Sequence, residues 1–151
     1  MKKYGLIICF TLILAGNAFS QINTDSDNWK NKWLYVSAWA GYGSGFSMGI
    51  CADIQLSNHF SLGIEPGLVD RNYPALSVLP QFNFRPGNAE ISLYGGLSFG
   101  YSSAYKFIWG VNFGLDAGYR VGPGILFITA RNGMGWDVGI GYKMGFLDKL
   151  L

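Results

Sequence analysis

The chain is poor in the side chains from which enzymes and metal centres are built. Histidine occurs once, at His59, and cysteine only at Cys9 and Cys51. No pair of such residues stands at metal-ligand spacing, so neither a zinc centre nor another cofactor is expected. Charge is scarce too: Asp, Glu, Lys and Arg make up 13% of the residues, about half the share of roughly 25% in soluble domains. The net charge of +2 comes from Lys2 and Lys3, because the chain after residue 20 carries nine basic and nine acidic residues. That balance gives no electrostatic argument for nucleic acid. No apolar run reaches the roughly 20 residues that a membrane-crossing helix needs, and no helical period appears after residue 32.

The longest apolar run, YGLIICFTLILA, follows the two lysines directly and precedes GNAFS, with Ala18 and Ser20 at −3 and −1 of a cut before Gln21. This order of positive, apolar and small residues predicts a removable secretory signal peptide over residues 1–20. Cys9 lies inside the apolar run, which argues against a lipoprotein. Cys51 alone remains after cleavage, so no intrachain disulfide can form. Residues 21–32 read as a polar N-terminal lead.

What is abundant is glycine, at 22 residues, and aromatics, at 17%. From residue 33 on, large apolar residues alternate with small or polar ones. The pattern predicts eight strands at 33–43, 45–56, 59–69, 73–84, 90–101, 105–121, 124–132 and 134–146. Turn signals divide them: GSG, SNH, DRN, RPGNA, SSA, GPG and NG. The sixth is the clearest. Phe107, Trp109, Val111, Phe113, Leu115, Ala117, Tyr119 and Val121 form one face, and Lys106, Ile108, Gly110, Asn112, Gly114, Asp116, Gly118 and Arg120 form the other. The first strand is blurred and the seventh is apolar on both faces.

Packing decides which face points in. An eight-stranded barrel has an interior that modest side chains already fill. Five or six large apolar residues from each strand cannot all enter it, and an exterior of Gly and Ser with few charges would make a poor soluble surface. With the sheet turned over, the small residues fill the inside and the apolar face meets hydrocarbon, where closure leaves no unpaired strand edge. The fold class expected is therefore all-β, an eight-stranded antiparallel up-and-down transmembrane β-barrel over residues 33–146 with short turns on both sides, followed by a short tail at 147–151. With the N-terminus periplasmic, Tyr42, Phe46, Tyr101, Tyr105 and Trp136 fall at the outer rim, and Phe60, Phe84, Tyr119, Tyr142 and Phe146 at the inner one. Two such aromatic girdles are expected of membrane barrels.

These features together, with phrasing such as LSNHFSLGIEPGL, resemble the small OmpA- and OmpX-type outer-membrane β-barrels. The resemblance implies residence in the outer membrane, contact with its lipids and lipopolysaccharide, and recognition by the barrel assembly machinery through a terminal aromatic alternation. Here Tyr142, Met144 and Phe146 supply that alternation, ahead of LDKLL.

Candidate chemistry is thin. GFSMG and GLSFG both match G-x-S-x-G, but a nucleophile elbow needs a following helix, and alternating Gly/Ser faces generate such matches by themselves. His59, Ser61 and Glu65 leave one enzymatic alternative, a membrane-embedded lipid A-modifying enzyme. A secreted lipocalin-like barrel that binds an apolar ligand is the other alternative. The reading preferred is a non-enzymatic barrel whose interior is filled by a polar network of Asp53, Glu65, Asp116, Arg120, Asp137 and Lys143. Arg120 is expected near Asp53, Lys143 sharing Asp53, and Asp116 near a basic partner or a water. The side of Arg131 stays open: a two-residue turn at Asn132-Gly133 would put it outward at the outer rim, within reach of lipopolysaccharide phosphates, and a three-residue bulged turn would flip it inward.

Overall fold

The computed structural model describes residues 29–69, 73–102, 106–133 and 135–148. The predicted signal peptide and most of the polar lead lie outside them. After a short 3-10 turn at Trp29–Asn31, eight strands follow: β1 (Lys32–Gly43), β2 (Phe46–Gln55), β3 (Phe60–Val69), β4 (Tyr73–Phe84), β5 (Ala89–Ser102), β6 (Lys106–Val121), β7 (Gly124–Asn132) and β8 (Trp136–Asp148). Each pairs antiparallel with the next, and β8 pairs with β1, so the sheet closes into a barrel. The strand read as ending at Phe146 continues through Leu147 to Asp148, and the ladder shifts register where β1 begins, between Lys32 and Tyr35.

The barrel is apolar outside and polar inside. Phe107, Trp109, Val111, Phe113 and Leu115 of β6 are exposed, while Asn112 between them is buried. The buried set is dominated by Ser, Asn, Gln, Thr and charged side chains. Period-two alternation alone produces this once the sheet closes with its small side chains inward.

Strands β1 and β7 read ambiguously because their large residues turn inward. Tyr35 and Trp39 of β1 and Ile125 and Phe127 of β7 are buried in the barrel. Glycine on the neighbouring strands makes room for them. A Cβ on Gly118 of β6 would stand 2.8 Å from Phe127 Cβ, and one on Gly141 of β8 2.8 Å from Phe127 Cε1. At the tight β6–β7 connection Gly122 takes φ 60°, the left-handed backbone that two-residue hairpins demand.

The β7–β8 connection departs from the sequence reading. Asn132 pairs with Trp136 and Arg131 with Asp137, so three residues separate the strands instead of two. The extra residue reverses the face on which Arg131 lies relative to β8.

Candidate functional site: the luminal charge network

The inward side chains assemble into two tiers. The upper tier draws on β1, β3, β5 and β7. Arg131 Nη1 donates to Glu65 Oε1 at 2.7 Å, and Trp39 Nε1 donates to Glu65 Oε2 at 3.0 Å. The guanidinium lies over the Trp39 ring, 3.7 Å from its centroid, with the Tyr94 ring centre 5.2 Å away. Its Nε donates to Thr129 Oγ1 at 3.2 Å, and that hydroxyl also meets the Tyr94 hydroxyl at 3.1 Å. Arg131 and Glu65 are each 5% exposed, so both charges are held by partners in place of water. A buried pair is sound only when its remaining donors and lone pairs are used, and the rings and hydroxyls around Arg131 do that.

The lower tier, nearer the chain termini, links four charges in a row. Arg85 Nε reaches Glu90 Oε2 at 2.5 Å, Glu90 Oε1 accepts from Lys143 Nζ at 2.7 Å, and Lys143 Nζ lies 3.5 Å from Asp53 Oδ2. Two cations meet two carboxylates, which leaves the tier neutral. Neutral groups complete it. Gln81 Nε2 donates to Asp53 Oδ1 at 2.5 Å, and Cys51 Sγ to the same oxygen at 3.0 Å. Arg85 Nη2 donates to Gln55 Oε1 at 3.0 Å and its guanidinium lies 4.7 Å from the Tyr35 ring centre. Ser92 donates to Asn83 Oδ1 at 2.7 Å, and Asn83 Nδ2 to Ser61 Oγ at 2.8 Å.

Asp53, Glu65, Asp137 and Lys143 are buried in the lumen. Asp116 of β6 stands opposite Thr129 in register, and its buried Oδ1 has no hydrogen-bond partner among the described residues. A cavity of about 20 Å³ beside Arg131 is lined in part by Glu65, Ser77, Ser98, Asn112 and Asp137, a size that admits one water.

Two expectations need correction. Arg131 does not face the lipid rim or lipopolysaccharide; the three-residue β7–β8 connection turns it into the lumen against Glu65. Arg120 does not meet Asp53. Its Nε donates to the Gly122 carbonyl at 3.4 Å at the barrel mouth. Asp53 sits on β2, across the barrel from β6, where Lys143 and Gln81 hold it, and Ile125 and Phe127 occupy the interior beside Arg120. Arg85 and the ring faces of Trp39 and Tyr94 were missed. Arg85 follows β4 in a turn, where alternation carries no signal, and alternation gives the side on which a ring lies, not the cation it stacks on.

The other candidate side chains lie apart from any catalytic arrangement. His59 is exposed in the β2–β3 turn, where Nδ1 meets the Asn83 carbonyl at 3.1 Å and the ring stacks on Phe82 at 5.8 Å. Ser61 points inward to Asn83 instead. GFSMG enters β2 from its second residue and GLSFG lies wholly within β5, and Ser98 bonds the Ser77 hydroxyl at 2.7 Å. Among the described residues no three His, Cys, Asp or Glu side chains come together as a metal site.

No protein-family model matches the chain, and no curated protein matches its sequence. Solved structures do. A de novo designed transmembrane β-barrel superposes with a TM-score of 0.64 at 20% identity, covering 75% of this chain and 94% of that one. The N-terminal β-barrel domain of Pseudomonas aeruginosa OprF gives 0.64 at 15% identity, covering 75% and 96%. The designed barrel TMB2.3 gives 0.58 at 15% identity, covering 76% and 94%. The sealed sheet, its outward apolar face and these likenesses together make the fold an eight-stranded transmembrane β-barrel.

Proposed function

We propose that this chain is a non-enzymatic protein of the outer membrane, exported by its N-terminal segment, whose lumen is closed by its own side chains and whose role is structural or interactive. The observation that carries this reading is the upper tier. Arg131, Glu65, Trp39, Tyr94 and Thr129 come from four alternate strands and meet near the barrel axis. An ion or solute crossing the lumen would have to break a buried ion pair held between aromatic rings. Its surroundings are the outer-membrane lipids and lipopolysaccharide, met by the apolar outer face. The barrel assembly machinery would read the aromatic alternation toward the end of β8. The separate placement of His59 and Ser61 lends no support to a lipid A-modifying activity. The purified protein in a planar bilayer tests the closed lumen. The expected record shows no steady ohmic conductance, and a stable porin-like conductance would overturn the reading and make the charges a selectivity lining.

A further inference from the structure

A buried oxygen that accepts no hydrogen bond is uncommon, because it carries the full cost of leaving water. Asn112 of β6 supplies one in the outer half of the lumen. The residue is 5% exposed, and its Oδ1 has no hydrogen-bond partner among the described residues. The carboxamide packs on the β7–β8 connection, where a Cβ on Gly133 would stand 3.3 Å from Asn112 Cγ. It borders the cavity of about 20 Å³ beside Arg131. Gly67, two residues outward of Glu65, and Gly133, two residues outward of Arg131, line the same cavity. It therefore lies on the outer side of the Arg131–Glu65 pair.

The groups around that cavity decide what suits it. Glu65 and Asp137 bring carboxylates, and Ser77 and Ser98 bring hydroxyls that bond each other at 2.7 Å. All four residues are buried. Arg131 also lines the space, but its Nη1 and Nε already serve Glu65 and Thr129. One positive and two negative side chains leave the lining with a charge of −1, which disfavours an anion. The three-residue β7–β8 connection builds this arrangement, because it sets Asp137 opposite Arg131 in register. A way in exists from the outer mouth. Gly110 lies two residues outward of Asn112 on the same face of β6, and a Cβ there would meet nothing within 4 Å.

We infer that this cavity binds one hard divalent cation of calcium size, with Asn112 Oδ1 and the Asp137 and Glu65 carboxylates as ligands and the serine hydroxyls and water filling the remaining positions. Calcium accepts such a mixed set, because it takes carboxylate, carboxamide and water oxygens in a flexible arrangement. Only two carboxylates meet here, so the neutral oxygens matter, and Asn112 above all. Two carboxylates beside a guanidinium also place the site among weak calcium sites, with Kd on the order of 0.1–1 mM. Magnesium demands a near-ideal octahedron and gives up its waters reluctantly, so it suits the cavity less. The bound cation joins β3, β6 and β8 above the ion pair and leaves the lumen closed.

Calcium chloride titrated into the full mature barrel tests this, with the protein stripped by a chelator and held in detergent and potassium chloride. By NMR, the Asn112 side-chain amide and the Gly133 backbone amide should shift together and saturate at one calcium per barrel. Followed at Gly133, Asn112→Ala and Asp137→Asn should each weaken binding at least tenfold. Arg120→Ala, at the opposite mouth, should leave it unchanged. Should Asp137→Asn fail to fold, Asn112→Ala decides alone. No saturable shift would mean that water or protons satisfy these oxygens, and would overturn the inference. An equal response to magnesium or to more potassium would mean general screening of charge, and would overturn it as well. So would calcium binding that survives Asn112→Ala undiminished, because the ion would then sit elsewhere.

Discussion

Arg131 is ion-paired with Glu65, bonded to the Thr129 hydroxyl and set against two aromatic rings, and these contacts set what its loss would do. Replacing Arg131 by Met leaves Glu65 buried and uncompensated, and Glu65→Gln leaves Arg131 so. Each should lower stability by about 3–5 kcal/mol. The double variant should lose at least 1 kcal/mol less than the sum, because the two side chains interact directly. Urea unfolding from lipid vesicles reads all three, and strict additivity would mean that the pair is not coupled. Gly141 allows a second test at this scale. Valine there must displace the Phe127 ring, an overpacking that should cost about 1–3 kcal/mol and be relieved in part by Phe127→Ala; the same unfolding assay checks it. The luminal charges show how far sequence reaches at this scale. Asp53, Glu65, Asp137 and Lys143 were legible as inward residues because each sits within a strand of clear parity. Arg131 was not, since one residue more in a turn reverses its face, and Arg85 was not, since it lies outside a strand. The partners were also hidden. Alternation fixes the face of Arg120 but not its reach, and its guanidinium bends to the Gly122 carbonyl.

At the scale of the strand, β6 shows why the architecture was readable. From Phe107 to Val121 its residues alternate without a break, and a period of two cannot be mistaken for a helical one over that length. The same strand gives a depth-dependent prediction. Leu115, exposed on the outer face in the middle of β6, should lie near mid-bilayer, where Leu115→Arg should cost about 2–4 kcal/mol. Tyr119 lies near the inner rim, where Tyr119→Arg should cost about 0–1 kcal/mol. Equal costs, measured by unfolding from vesicles, would mean that β6 does not cross an apolar slab. Strands β1 and β7 were harder to read for a physical reason. Each turns two large residues into the lumen, Tyr35 and Trp39 or Ile125 and Phe127, and the glycines that admit them sit on other strands. Strand ends were legible to within about two residues, because Gly, Pro and Asn mark turns but a ladder can run past them, as β8 does to Asp148.

At the scale of the whole molecule, closure and inversion explain each other. A sheet with one apolar face must bury that face or meet a solvent that accepts it, and eight strands enclose too little space to bury this one. The polar interior then has to be satisfied from within, and the two tiers do most of this. Export belongs to the same scale. The mature protein recovered from membranes should begin at Gln21 by mass spectrometry, and an intact Met1 there would contradict a cleaved signal. The inversion itself is the central claim, and nitroxide scanning of β6 tests it most directly. Single cysteines would be placed in turn at positions 113–119, in a Cys51→Ser background, and the labelled barrels reconstituted in vesicles. Collision with oxygen should rise at 113, 115, 117 and 119 and fall at 114, 116 and 118, with a water-soluble nickel reagent excluded from 113, 115 and 117. A flat profile, or odd positions open to the nickel reagent, would contradict a barrel that turns its apolar face to the membrane.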